Sequence, residues 1–115
     1  MRMWMVDPKI LCKNHLLGEH GEIHKFFKQF VKKYNMNGRA GQIEPKSMKQ
    51  RHDELVNEMI NRGYNHNSPY SQPDVDYLNH MCSVDKDKSL ELLLDRCEHC
   101  SERLRRMNEN SIGRR

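Results

Sequence analysis

Residues 14–34 read NHLLGEHGEIHKFFKQFVKKY. Within them Leu16, Ile23, Phe27, Phe30 or Val31, and Tyr34 recur at gaps of three, four and seven, which puts one apolar stripe on a helix running to a stop at Asn35–Gly38. A stripe of this width must be covered by another element, so the fold is decided by what else in the chain can form a helix.

Upstream, Asp7-Pro8 reads as a cap followed by a first-turn proline, after an extended Arg2-Met3-Trp4-Met5-Val6. Trp4 reads as a core anchor. Downstream, Ser47-Met48-Lys49-Gln50 fits a capping box, and Met48, Leu55, Val56, Met59 and Ile60 form a second stripe ending at Gly63, a natural residue for the C′ position. Tyr64 to Asp76, with Pro69 and Pro73, reads as loop. A third helix is expected from about Asp87 to Arg105 on Leu90, Leu93, Leu94, Cys97 and Leu104. Three such helices can cover one another. The expected fold class is all-α: a compact single domain of about three helices over residues 1–107, with the extended amino-terminal segment packed between them and a basic, flexible tail at 108–115.

Leu, Ile, Val and Phe make up 23 of 115 residues, close to the level at which chains fail to build a core. The modest net charge of +4 and the helical clustering of the apolar residues favour a folded chain with a small core. No run is long enough for a membrane span or a secretory signal, so a soluble, cytoplasmic monomer is expected, with no membrane partner. Four cysteines in that setting read as reduced thiols. Only Cys97-x2-Cys100 has ligand-like spacing. His99 lies inside that pair, and His80, Cys82 or Cys12 would have to complete a site; a single CxxC on a helical stretch is weak, and the reading assigns no metal and no cofactor. A zinc-stabilised module is kept as a third alternative.

Charge is unevenly spread: residues 1–34 carry +4, residues 35–95 carry −3 and residues 96–115 carry +3. On the first helix Glu19, Glu22, Lys25, Lys28 or Gln29, and Lys32 follow one another at near-helical steps. Acids early and lysines late suit any exposed helix. Three features point further. Gly18 and Gly21 sit in the helix body, where each costs about 1 kcal/mol against Ala, as though backbone or ligand must come close. His15 and His20 lie in the same region. The apolar start of the chain can hold its α-amine in place, and an α-amine with a pKa of about 7.7–8.0 is partly unprotonated at neutral pH and can form an imine beside a carboxylic acid.

Met1-Arg2, the run His15-Leu16-Leu17-Gly18-Glu19-His20-Gly21-Glu22-Ile23-His24-Lys25, and the later Arg51-His52-Asp53-Glu54-Leu55 and Asn61-Arg62-Gly63-Tyr64-Asn65 resemble the phage pyrimidine-dimer DNA glycosylases with AP-lyase activity, the endonuclease V type. The resemblance implies a metal-independent repair enzyme acting on double-stranded DNA that contains damaged or modified bases. Met1 would supply the nucleophilic amine and Glu22 the catalytic carboxylate, with Arg2 near both and His15 close to the site. Arg2, Lys25, Lys32, Arg51, His52 and Arg62 would face DNA. The chain departs from the family pattern in three places: Arg2 stands where members that use a Thr amine have Thr, Gly21 replaces a phosphate-contacting arginine, and the aromatic-basic carboxyl terminus is replaced by an Arg-rich end with CxxC. The alternative is a non-catalytic nucleic-acid-binding or partner-binding helical protein on the same scaffold.

Overall fold

The computed structural model describes residues 2–32, 42–66, 70–73 and 83–113. Met1, Tyr34, the Asn35–Gly38 stop, Pro69, His80 and Cys82 lie outside the described residues. The helices are α1 (Lys13–Val31), α2 (Met48–Asn61), α3 (Lys86–Arg96) and α4 (Glu98–Gly113), with short 3-10 turns at Pro8–Ile10 and Pro45–Ser47. The all-α class holds, with four α-helices among the described residues in place of about three.

The segment Arg2–Val6 is threaded through the molecule. Met3, Trp4 and Val6 are buried, and the backbone around them is tied to three later parts of the chain. Met3 N donates to the Gln42 carbonyl at 2.7 Å, Ser89 Oγ donates to the Trp4 carbonyl at 2.6 Å, and Arg51 Nη1 donates to the Val6 carbonyl at 2.6 Å. Buried backbone groups in a non-helical segment need such partners. Met5 has φ 57°, a left-handed conformation that costs a residue with a side chain about 1–2 kcal/mol. The anchored residues on either side hold that kink in place.

Asp7 then caps the first 3-10 turn, its carboxylate accepting from Lys9 N at 3.0 Å with Pro8 in the first position. Cys12 begins α1 without a side-chain cap, because its sulfur is turned inward. The buried face of α1 is Leu16, Glu19, Ile23, Phe26 and Phe30, at steps of three and four. Leu16, Ile23 and Phe30 lie on it as expected, whereas Phe26 takes the core position expected of Phe27, which is half-buried, and Val31 is exposed.

On α2 the buried residues are Met48, Arg51, His52, Leu55, Glu58 and Met59, while Ile60 faces out. Its expected capping box does not form; Ser47 Oγ donates to Glu44 Oε2 at 2.6 Å in place of capping the helix. The carboxyl end follows the sequence. Gly63, at φ 87°, lets Gly63 N reach the Ile60 carbonyl and Tyr64 N the Met59 carbonyl, both at 2.9 Å, which closes a Schellman motif.

The expected third helix is two helices. Asp85 caps α3 through Lys88 N, and the helix ends where Cys97 turns extended at φ −130°, ψ 107°. From Glu98 α4 continues through Asn108 to Gly113. Leu93 and Cys100 are buried, and Leu104 and Met107 lean on the same core. Arg103 Nε donates to the Lys9 carbonyl at 2.9 Å, which pins α4 on the first turn. Among the described residues no helix is long and apolar enough to cross a membrane.

Candidate active site

On α1, His15, Glu19 and Glu22 stand at i, i+4 and i+7 and so share a face. Glu22 is half-buried. Its Oε2 is cut off from solvent and, among the described residues, has no hydrogen-bond partner; the same is true of Arg2 Nε. An unpaired buried polar atom costs about 1–3 kcal/mol, and these two belong to residues that the sequence singles out for chemistry. The Arg2 guanidinium lies 4.6 Å from the centre of the Trp4 ring. Burial and the nearby Arg96 lower its pKa, while Glu19 opposes them, which sets Arg2 in the field of both side chains.

Beside Glu22 the helix is bare. Among the described residues a Cβ at Gly18 or Gly21 would meet no atom within 4 Å, so none of them requires glycine at either position. The expectation of a close-packed backbone is corrected, and what remains is an open strip on the same helix as Glu22. Lys25, one turn further on, is exposed, and so is Lys32 at the end of α1.

The remaining expected residues are placed differently. Arg51 is 2% exposed and fully engaged: Nε and Nη2 grip Glu19, and Nη1 holds the Val6 carbonyl. Arg62 pairs with Glu58 at 2.7 Å and donates to the Pro8 carbonyl at 3.1 Å, clamping the first turn to α2. His15 points Nδ1 at sulfur, 3.2 Å from Cys12 Sγ and 3.6 Å from Cys100 Sγ, and sets its ring edge-on to Trp4. The structure thus brings His15 to a thiol cluster that could hold a metal, made of Cys12, His15, Cys97 and Cys100. His99, the histidine inside the CxxC, is exposed.

The sequence reading missed a second histidine group. His20 Nε2 lies 3.2 Å from His24 Nε2 and 2.9 Å from His66 Nε2, and His52 stacks on Tyr70 with ring centres 4.6 Å apart. Burial and the facing His24, His52 and His66 push the His20 pKa down to about 4. Burial raises the Tyr70 hydroxyl pKa. The available signals were the i,i+4 pair His20 and His24, and the polar turn at Arg51-His52 that interrupts the α2 stripe.

A cleft of about 400 Å³ between Val6 and α2 has Asp7, Glu44 and Glu54 in its walls together with Arg51 and Lys86. Glu22 is not part of it.

A family model described as pyrimidine dimer DNA glycosylase matches residues 1–72, which take in the threaded segment, α1 and α2. Comparison with curated proteins and with solved structures gives no significant match.

Proposed function

We propose, because this chain belongs to the pyrimidine dimer DNA glycosylase family, that it excises a damaged or modified base from double-stranded DNA and then cuts the strand at the resulting site as an AP lyase. The observation that carries this reading is the shielded, unpartnered Oε2 of Glu22 beside the open strip at Gly18 and Gly21. A carboxyl oxygen with no partner among the described residues is available to give or take a proton at a bound nucleotide.

In this mechanism the α-amine of Met1 attacks the sugar C1′. The new N–C1′ bond forms as the bond to the base breaks, and the base leaves with the bonding electrons and a proton delivered to it. Ring opening gives an imine, and Glu22 balances its positive charge. Loss of a C2′ proton then expels the 3′ phosphate by β-elimination. Met3, Trp4 and Val6 are held by the core, and a nucleophile close in sequence to anchored residues attacks at a lower entropic cost. Arg2 is suited to phosphate or developing charge, and Lys25 to the DNA backbone.

The test is borohydride reduction of the untagged protein turning over on duplexes carrying pyrimidine dimers, modified bases or abasic sites. The expected result is a covalent DNA adduct on the Met1 peptide, together with strand cleavage. DNA binding without an adduct, or an adduct on an internal lysine, overturns the reading in favour of a binding module or a different nucleophile.

A further inference from the structure

We propose that Cys12, His15, Cys97 and Cys100 form a structural zinc site that staples the carboxyl-terminal helix pair to the start of α1. Cys12 is the residue before α1 and His15 stands in its first turn. Cys97 is the break between α3 and α4, and Cys100 lies in the first turn of α4. Eighty-five residues separate Cys12 from Cys97, yet one donor atom from each of the four residues falls within 4.8 Å of all the others.

The distances fit a tetrahedral ion. With Zn–S near 2.3 Å and Zn–N near 2.0–2.1 Å, tetrahedral geometry separates two sulfurs by about 3.8 Å and a sulfur from a nitrogen by about 3.6 Å. Cys12 Sγ is 3.8 Å from Cys97 Sγ; His15 Nδ1 is 3.6 Å from Cys100 Sγ and 3.2 Å from Cys12 Sγ. A disulfide is a different geometry, with sulfurs at about 2.05 Å, and all three cysteines are free. Two backbone N–H groups point at the sulfurs: Cys12 N at Cys100 Sγ, 3.2 Å, and Cys100 N at Cys97 Sγ, 3.4 Å. Such donors favour the thiolate that a metal needs.

Three sulfurs and an imidazole in tetrahedral array select zinc over hard cations such as magnesium or calcium. All three cysteines are buried, and the protein fills all four positions, leaving none for water or substrate, so the site is structural. A cleft of about 380 Å³ lined by Lys13, Glu102, Arg103 and Arg106 reaches Cys12 and gives a route for the ion. The break at Cys97 gains a purpose: the extended residue aims its sulfur at the cluster where a continuous helix would carry it past. Two of the four ligands lie beyond residue 72, where the family match ends. The staple therefore joins the matched part of the chain, through Cys12 and His15, to the part that the match does not reach. The inference stands independently of the glycosylase chemistry.

The experiment is elemental analysis and cobalt substitution of the full, untagged chain. The expected result is about one zinc per chain, and a cobalt form with intense thiolate-to-metal charge transfer and tetrahedral visible bands. X-ray absorption should report three sulfurs and one nitrogen. His15→Cys is expected to keep the zinc and raise the sulfur count to four, while Cys100→Ser loses most of the metal. If Cys100→Ser fails to fold, the wild-type cobalt spectrum and the His15→Cys sulfur count still decide. Wild-type protein without zinc that gives no thiolate charge transfer on cobalt addition overturns the proposal. A metal ligated by nitrogen alone, or an unchanged sulfur count in His15→Cys, does the same.

Discussion

Arg51 grips Glu19 through two parallel hydrogen bonds, Nε to Oε2 at 2.6 Å and Nη2 to Oε1 at 2.9 Å, with both side chains almost wholly out of water. The pair locks α1 to α2, and the third nitrogen of the same guanidinium holds the Val6 carbonyl. Arg51→Met removes the charge that makes a buried Glu19 tolerable and is expected to lower stability by about 3–5 kcal/mol. Pairing it with Glu19→Gln should recover much of that loss, because no uncompensated charge is left. Urea unfolding of the two single variants and the double variant measures the coupling. Strictly additive losses would show that the two side chains do not act as a unit.

Glu22→Gln should separate fold from chemistry. The Oε2 has no partner among the described residues, so the amide breaks no visible contact and the melting temperature should stay near wild type or rise slightly. Strand cleavage of a lesion-containing duplex should fall by about 10²–10⁴-fold, the usual contribution of a general acid or base, with DNA affinity little changed. Single-turnover cleavage and a binding titration on the same variant make the comparison.

Acid should loosen the histidine group. In the folded chain burial and three facing imidazoles hold His20 near pKa 4, whereas an unfolded histidine titrates near 6.5. Between those values the unfolded chain binds a proton that the folded chain refuses, so stability falls as pH drops from about 6.5 towards 4. His24 and His52 are lowered as well and steepen the fall. Lys28 on α1 and Lys49 on α2 add to the repulsion, while Asp53 on α2 opposes it through His52. His20→Gln should flatten the curve of melting temperature against pH over this window. Parallel curves for the variant and wild type would remove His20 as the cause.

Gly63→Ala tests the end of α2. Among the described residues no atom lies within 4 Å of the added Cβ, so the cost is conformational, about 1–2 kcal/mol for a residue held at φ 87°. Gly63→Asn should cost less, because Asn tolerates the left-handed region better. Thermal melts of both variants give the order.

Local signals were legible in the sequence. Gly63 stops α2 because few other residues enter its conformation cheaply, and Asp7-Pro8 caps a turn because both groups act within three residues. Long-range facts left no such trace. The α2 stripe skips from Met48 to Leu55, and the gap is filled by Arg51 and His52, which are buried because Glu19 and the other histidines meet them across the fold. The spacing from Leu90 to Leu104 suits one helix, and nothing local announces that Cys97 breaks it to meet Cys12. For the site, Glu22 and Arg2 stood out through resemblance and carry the unpartnered atoms, while Arg51 and Arg62 looked like surface cations and turned out to be internal clamps.

The hydrogen bond from Ser89 to the Trp4 carbonyl also sets an order of events during synthesis. Residues 2–6 leave the ribosome well before α3, yet one of the groups that fastens them is made eighty-five residues later. Contacts of such separation form slowly, and until then Met3 and Trp4 present an oily thread that can stick to neighbours. Shortened chains ending before α3 should therefore aggregate even though they retain every residue of the family match.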